Sequence, residues 1–306
     1  MKKVILATDG SVYANEAAWF LAHLPRHEKM ELTVLTVLDD PAIARNYPSA
    51  VWLEEALARE KEMANSAFQK IQEMFDGANA TLRSIIRHGH RGETIVQVAQ
   101  EEHADLVVVG ARGHSAVSRL LLGSTSDYVA THAPCSVLVI RPTSVRHTDH
   151  PLRIALGYQN SEPAHAAVEQ FRDITWGRDT DVSMVFVVPL LAGFLNDVVV
   201  DIQASKEAAQ LLVDKATEEI RDVAPNVKGV VVASDHIGEG LVTFVEDKHC
   251  DLIVIGETPR TALGRFLLGS TTIFVLRHAP CSIWITRKPA TETVAEAEES
   301  VQLAVS

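Results

Sequence analysis

Apolar residues along this chain follow two rhythms. Short, nearly continuous apolar runs occur at KVILAT (3–8), ELTVLTVL (31–38), DLVVVG (105–110) and CSVLVIR (135–141). Between them, apolar positions return every three or four residues. Ala14, Ala17, Ala18 and Leu21 mark one helix, and Ser11 stands where a cap is needed. Further helices are predicted over about 49–75, over about 93–103 and after Gly123, with a strand at TLRSIIR (81–87). Strands that are apolar throughout, alternating with helices, imply a parallel sheet covered on both faces. Right-handed crossovers then give a doubly wound α/β fold, with ligands bound beyond the carboxyl ends of the strands. Five strands in the order 3-2-1-4-5 are expected.

The pattern then repeats. Residues 106–141 and 252–287 align at an offset of 146 without a gap, and 17 of 36 positions are identical. His90, Gly92, Glu93 and Asp105 face His236, Gly238, Glu239 and Asp251 at the same offset. The chain is therefore a tandem duplication, with domains at 1–141 and 152–287. The joint between them, 142–151, is polar and bounded by prolines, as a linker should be. The segment 288–306 is acidic and rich in small residues, and it reads as a flexible tail.

Composition narrows the function. A net charge of −12 argues against nucleic acid or an anionic membrane as partner, because both require a basic face. Three cysteines, Cys135, Cys250 and Cys281, are too few and too scattered for a disulfide framework. MKKVILATDG reads as a strand rather than a secretory signal, and no run approaches the length of a membrane span. A cytoplasmic protein is expected.

One segment carries chemistry. From Gly110 to Thr125 the chain reads G-x-x-G-(nine residues)-G-S-T, beginning where the fourth strand ends. Gly110 allows the turn and Gly113 lets backbone N–H groups approach an anion. Gly123, Ser124 and Thr125 open a helix, whose free N–H groups and dipole favour phosphate. Asp9 ends strand one, beside strand four. Its carboxylate suits an exocyclic amino group or a ribose hydroxyl, although Asp-Gly-Ser is also ordinary turn chemistry. Arg112, His114 and Arg119 lie within the segment and are candidate phosphate contacts or exposed loop charges.

ATDGS, the G-x2-G-x9-G-S spacing and HAPCSVLVIR together resemble the universal stress protein family, over both halves. The resemblance implies ATP, or another adenine nucleotide, held at Ala7, Asp9, Val37, Gly110, Ala111, Arg112, Gly113, His114, Gly123, Ser124 and Thr125. Asp9 and Val37 would hold the adenine end, and Mg²⁺ or Mn²⁺ would accompany the phosphates without protein ligands. It also implies pairing through fifth strands, here 135–141 with 281–287 inside one chain as a pseudo-dimer, and leaves a homodimer open.

The second half departs from this pattern. Aligning Ala155 with Ala7 puts Gly157 where Asp9 stands, and Pro259 replaces Gly113, removing a donor. Gly256, Gly269, Ser270 and Thr271 remain, so a degenerate site is expected, with a repacked phosphate site as the alternative. Cys135 and Cys281 read as small buried residues rather than partners of His132 and His278. His88 and His90 read as loop residues, and Trp284 as packing between the domains. There is no G-x-x-x-x-G-K-[ST] loop, no G-x-S-x-G elbow and no evident base for water. The expectation is an ATP-binding stress or regulatory protein without a catalytic residue. A nucleotide-independent interaction module and a slow ATPase are the alternatives.

Overall fold

The computed structural model describes residues 1–24, 28–39, 50–113, 122–142, 151–190, 202–257, 260–262 and 265–287. The first half runs β1 (Lys3–Ala7), α1 (Val12–Ala22), β2 (Met30–Leu38), α2 (Ala50–Met74), β3 (Ala80–His88), α3 (Arg91–Glu101), β4 (Leu106–Gly110), α4 (Ser124–His132) and β5 (Ser136–Ile140). The second runs β6 (Leu152–Gly157), α5 (Glu162–Phe171), β7 (Thr180–Pro189), α6 (Ile202–Ile220), β8 (Val227–Ser234), α7 (Ile237–Asp247) and β9 (Leu252–Gly256). A hairpin, β10 (Arg260–Ala262) and β11 (Arg265–Leu267), follows, then α8 (Ser270–His278) and β12 (Ser282–Thr286).

Each half is a parallel sheet in the expected order 3-2-1-4-5, and the halves join into one ten-stranded sheet, β3-β2-β1-β4-β5-β12-β9-β6-β7-β8. Alternate strand residues feed opposite faces, and both faces are apolar. Val4 and Leu6 of β1 join one buried layer with Leu106, Leu138, Ile154 and Trp284. Ile5 joins the other with Val107, Val137, Ala155 and Ile283. That double burial is why these strands read as continuous apolar runs.

Asp105 and Asp251 hold the strand starts and set the correspondence between halves. Asp105 Oδ2 accepts from Lys3 N at 2.9 Å, and Asp251 Oδ2 accepts from Arg153 N at 2.9 Å. Val4 pairs with Leu106 and Ile154 with Leu252, so β1 and β6 match at an offset of 150. This corrects the sequence alignment. The counterpart of Asp9 is Gln159, and Gly157 corresponds to Ala7. Setting Ala155 against Ala7 uses an offset of 148, whereas the connection from the first strand to the fourth is four residues shorter in the second half, so the true offset rises from 146 at the fourth strand to 150 at the first.

The halves meet where β5 and β12 pair antiparallel, with Trp284 opposite Leu138. Ser136 Oγ accepts from Arg287 N at 2.9 Å, and Ser282 Oγ accepts from Arg141 N at 3.2 Å. Each arginine then reaches the carboxyl end of a helix in the other half. Arg287 donates to Ala133 O at 3.0 Å, to Cys135 O at 3.3 Å and to Ala130 O around the end of α4. Arg141 donates to Leu276 O in α8 at 3.1 Å. A cation belongs there, since the helix dipole and the last carbonyls are both negative. Burial pushes both guanidinium groups below the ordinary arginine value, yet arginine stays charged.

Arg287→Ala would leave carbonyl groups of α4 buried without their donor. A loss of about 1–3 kcal/mol for each acceptor left unsatisfied is expected, read as a lower urea midpoint than wild type. An unchanged midpoint would show that the arginine bridge is not needed at the seam.

Candidate functional site

The carboxyl ends of β1, β2 and β4 converge at one rim of the sheet. The chain leaves β1 through a tight turn built by short side chains. Gly10 N donates to Thr8 Oγ1 at 3.1 Å, Ser11 N donates to Asp9 Oδ1 at 3.0 Å, and Ala14 N donates to Ser11 Oγ at 3.2 Å. Gly10 has φ +73, a left-handed value that glycine tolerates. So the turn reading of Asp9 holds for one carboxylate oxygen. The other, Oδ2, faces the glycine segment: a Cβ added at Gly113 would stand 2.5 Å from it. A side chain at this position would have to push the partly exposed Asp9 carboxylate aside.

Gly110 is required for a different reason. A Cβ there would meet the carbonyl carbon of Tyr13 at 2.8 Å, so Gly110 admits the start of α1. Gly256 does the same for Pro163 in the second half. Ala111 is buried and anchors the segment after β4, its N–H donating to Ile140 O at 2.7 Å.

At the start of α4, one expected donor is already used. Gly123 N donates to Ala111 O at 2.8 Å, because the chain folds back against the end of β4. Ser126 Oγ donates to Gly110 O at 2.7 Å and ties the helix start to the strand. The first intrahelical bond runs from Asp127 N to Gly123 O. Ser124, Thr125 and Ser126 thus present the N–H groups of a first helical turn, which have no carbonyl one turn earlier in the helix. Ser124 is exposed and Thr125 half-buried. Ala7 and Val37 are also half-buried, at the ends of β1 and β2.

Arg112 goes elsewhere. Its side chain is buried, and its charge helps to push the Arg141 guanidinium down. His114 and Arg119 lie outside the described residues.

The second half replaces this arrangement with a feature that the sequence analysis missed. Glu257 occupies the position of Ala111 and is 7% exposed. Its backbone repeats the Ala111 anchor, N–H donating to Thr286 O at 2.9 Å. Its carboxylate accepts from Gly269 N at 2.9 Å and from the Thr272 hydroxyl. The start of α8 is thus capped by an internal anion. The signal was legible: the ungapped repeat alignment already set a glutamate opposite Ala111. Ser270 is exposed and Gly269 and Thr271 are half-buried. Pro259 lies outside the described residues.

The remaining candidates serve packing. Cys135 and Cys281 are buried, and burial pushes both thiols up from 9.0 to about 12. His132 Nδ1 is turned to Tyr128 O at 2.8 Å, and its ring stacks on Tyr128. His88 meets Asp39 O at 3.2 Å, while His90 stands at the N-cap position of α3 without a side-chain capping bond and sits edge-on to Tyr128. Trp284, 2% exposed, packs in the core across the seam. Among the described residues, no group of three or more His, Cys, Asp or Glu side chains could hold a metal ion. Among them, too, no helix is long and apolar enough to cross a membrane.

The chain is a duplicated, doubly wound α/β unit with a glycine turn and a helix start at its strand ends. Residues 1–141 and 152–287 both match the Universal stress protein family, and the chain belongs to that family. A universal stress protein of Thermus aquaticus is 36% identical over 143 residues, covering 46% of this chain and 98% of the relative. A universal stress protein of Mycolicibacterium smegmatis is 22% identical over 289 residues, 93% of this chain and 96% of the relative. The crystal structure of a universal stress protein from Archaeoglobus fulgidus has the same fold, with a TM-score of 0.63 at 16% identity over 93% of this chain and 98% of that one.

The cysteines set an alkaline limit. A thiol with a raised pKa in the fold stabilises it fully below the unfolded value. That contribution is lost as pH climbs from 9.0 through about 12. Unfolding midpoints of wild type should fall over this window more steeply than those of a Cys135→Ala, Cys281→Ala double variant. Parallel pH profiles for the two would contradict the burial argument.

Proposed function

We propose that the first half binds an adenine nucleotide, ATP in the first instance, as a regulatory ligand in a stress response. The observation that carries this reading is the convergence at one rim of an acceptor, a side-chain-free turn and a helix start. Asp9 Oδ2 accepts from the adenine amino group or a ribose hydroxyl. Val37 supplies an apolar flank for the base. Gly113 and the first turn of α4 supply backbone donors to the phosphates, with the Ser124 and Thr125 hydroxyls beside them. Hydrogen bonds to charged groups contribute about 1.5–3 kcal/mol each. Three to five of them reach the roughly 8 kcal/mol of micromolar binding, despite a net charge of −12.

The residues present fit such a ligand in charge. The two parts of the site have opposite polarity, a carboxylate at the base end and helix-start donors at the phosphate end. A divalent cation, Mg²⁺ or Mn²⁺, would be held through the phosphates, since no cluster of protein ligands for it occurs among the described residues. The relatives' shared family name supports the stress assignment, and the nucleotide reading rests on the rim.

Equilibrium dialysis with labelled ATP tests the proposal. Wild type should bind with micromolar affinity. Asp9→Ala and Gly113→Pro should each weaken it by tenfold or more, about 1.4 kcal/mol. Binding unaffected by both variants, or no binding by wild type, would overturn the assignment.

A further inference from the structure

The two helix starts are built alike and differ in what faces them. In the first half, Ala111 offers only a methyl group, and the Ser126 hydroxyl turns back to Gly110 O at 2.7 Å. In the second, Glu257 and Thr272 stand at the same two positions, and both turn onto the start of α8. We infer that Glu257 is an internal anion that fills the phosphate position of the second half and closes it to external phosphates. The chain then carries one polyphosphate site on two domains. This rests on the placement of phosphates at the start of α4 proposed above.

Several observations point the same way. The carboxylate takes the Gly269 N–H, a bond that in the first half stays within the main chain, to Ala111 O. It lies close enough to Gly269 that an added Cβ there would be 3.4 Å from Oε1. A carboxylate on a helix-start N–H makes the charge-assisted contact that a phosphate oxygen would make. Glu257 is 7% exposed, so the charge is held in place and not replaced by water. Arg287 sits near enough for the Glu257 charge to raise its pKa against the lowering by burial. The buried carboxylate therefore has a cation on its inner side and a helix start on its outer side. An external phosphate would have to displace a tethered group that loses no translational freedom on binding. It would also meet that group's negative charge.

Gln159, the counterpart of Asp9, bears on the kind of anion. It lacks the charge that the proposed adenine end uses in the first half. Removing Glu257 should therefore open the second half to a bare polyphosphate more readily than to a nucleotide. Inorganic pyrophosphate is the matching probe.

The test is isothermal titration of the full-length wild type and of Glu257→Ala with inorganic pyrophosphate, with circular dichroism as the check on folding. Glu257→Ala should bind one equivalent more than wild type. If that variant does not fold, Glu257→Gln, which keeps an acceptor for the Gly269 N–H, carries the same expected gain. The reciprocal graft, Ala111→Glu with Ser126→Thr, should weaken the wild-type equivalent at least tenfold. The inference is overturned if the Glu257 variant gains no equivalent, or if wild type already binds two. If wild type binds none, the nucleotide assignment of the first half falls. A gain of one by the variant would still establish Glu257 as the closing group.

Discussion

The antiparallel seam between β5 and β12 constrains everything else in this molecule. Each half alone would expose a fifth strand with unpaired backbone groups and an apolar surface on both faces. Joining the two edges removes both problems and yields a sheet of ten strands. The seam is specified by polar atoms as well as by packing. Ser136 and Ser282 each accept a backbone N–H from the opposite half, and Arg141 and Arg287 each donate to carbonyl groups at the end of a helix there. Desolvating two guanidinium groups is costly. The helix ends offset that cost, because their carbonyls would otherwise be buried without donors. A seam of this kind fixes register, since a slip would strand both charges.

The seam also gives the second half a structural task of its own. The second half supplies the partner edge for β5 and the arginine for α4, and neither task needs an open helix start. A helix start still needs its N–H donors met. In the first half, main-chain folding meets one of them through Ala111 O. In the second, Glu257 meets the equivalent N–H. The two solutions leave different surfaces: an open first turn in one half and a neutralised one in the other. The residue after the fourth strand, Ala111 in one half and Glu257 in the other, differs between them, as does Ser126 against Thr272.

Much of this was legible in the sequence. Duplication, strand order and the glycine spacing were readable because apolar runs and an ungapped alignment report directly on burial and fold. The roles of individual glycines were less so. Gly110 and Gly113 look equivalent in a motif. Yet one admits the backbone of α1 and the other the carboxylate of Asp9, a distinction set by neighbours far away in the chain. The misplaced counterpart of Asp9 has the same origin. ALG and ATD align well as strings, and only strand register reveals that Gln159 stands there. Arg112 reads as a phosphate contact or an exposed loop charge, but its side chain is buried. Glu257 was visible as a letter opposite Ala111. What the letter does not carry is direction: the fold aims that carboxylate at the start of α8 instead of at solvent.

Helix α4 links the two themes. Its first turn faces the rim where β1, β2 and β4 end, and its last carbonyls are gripped by Arg287 from the other half. An anion at one end and a cation at the other both favour the same helix dipole. Each also ties nine residues of helix to a different part of the sheet. A ligand that binds only the folded state stabilises by an amount that grows with the logarithm of its concentration over Kd. A phosphate bound at the rim, as proposed, would act on the helix that carries the seam, and the seam holds the far end of that same helix. The duplicated architecture makes the second half a structural support for α4, even though its own helix start is capped by Glu257.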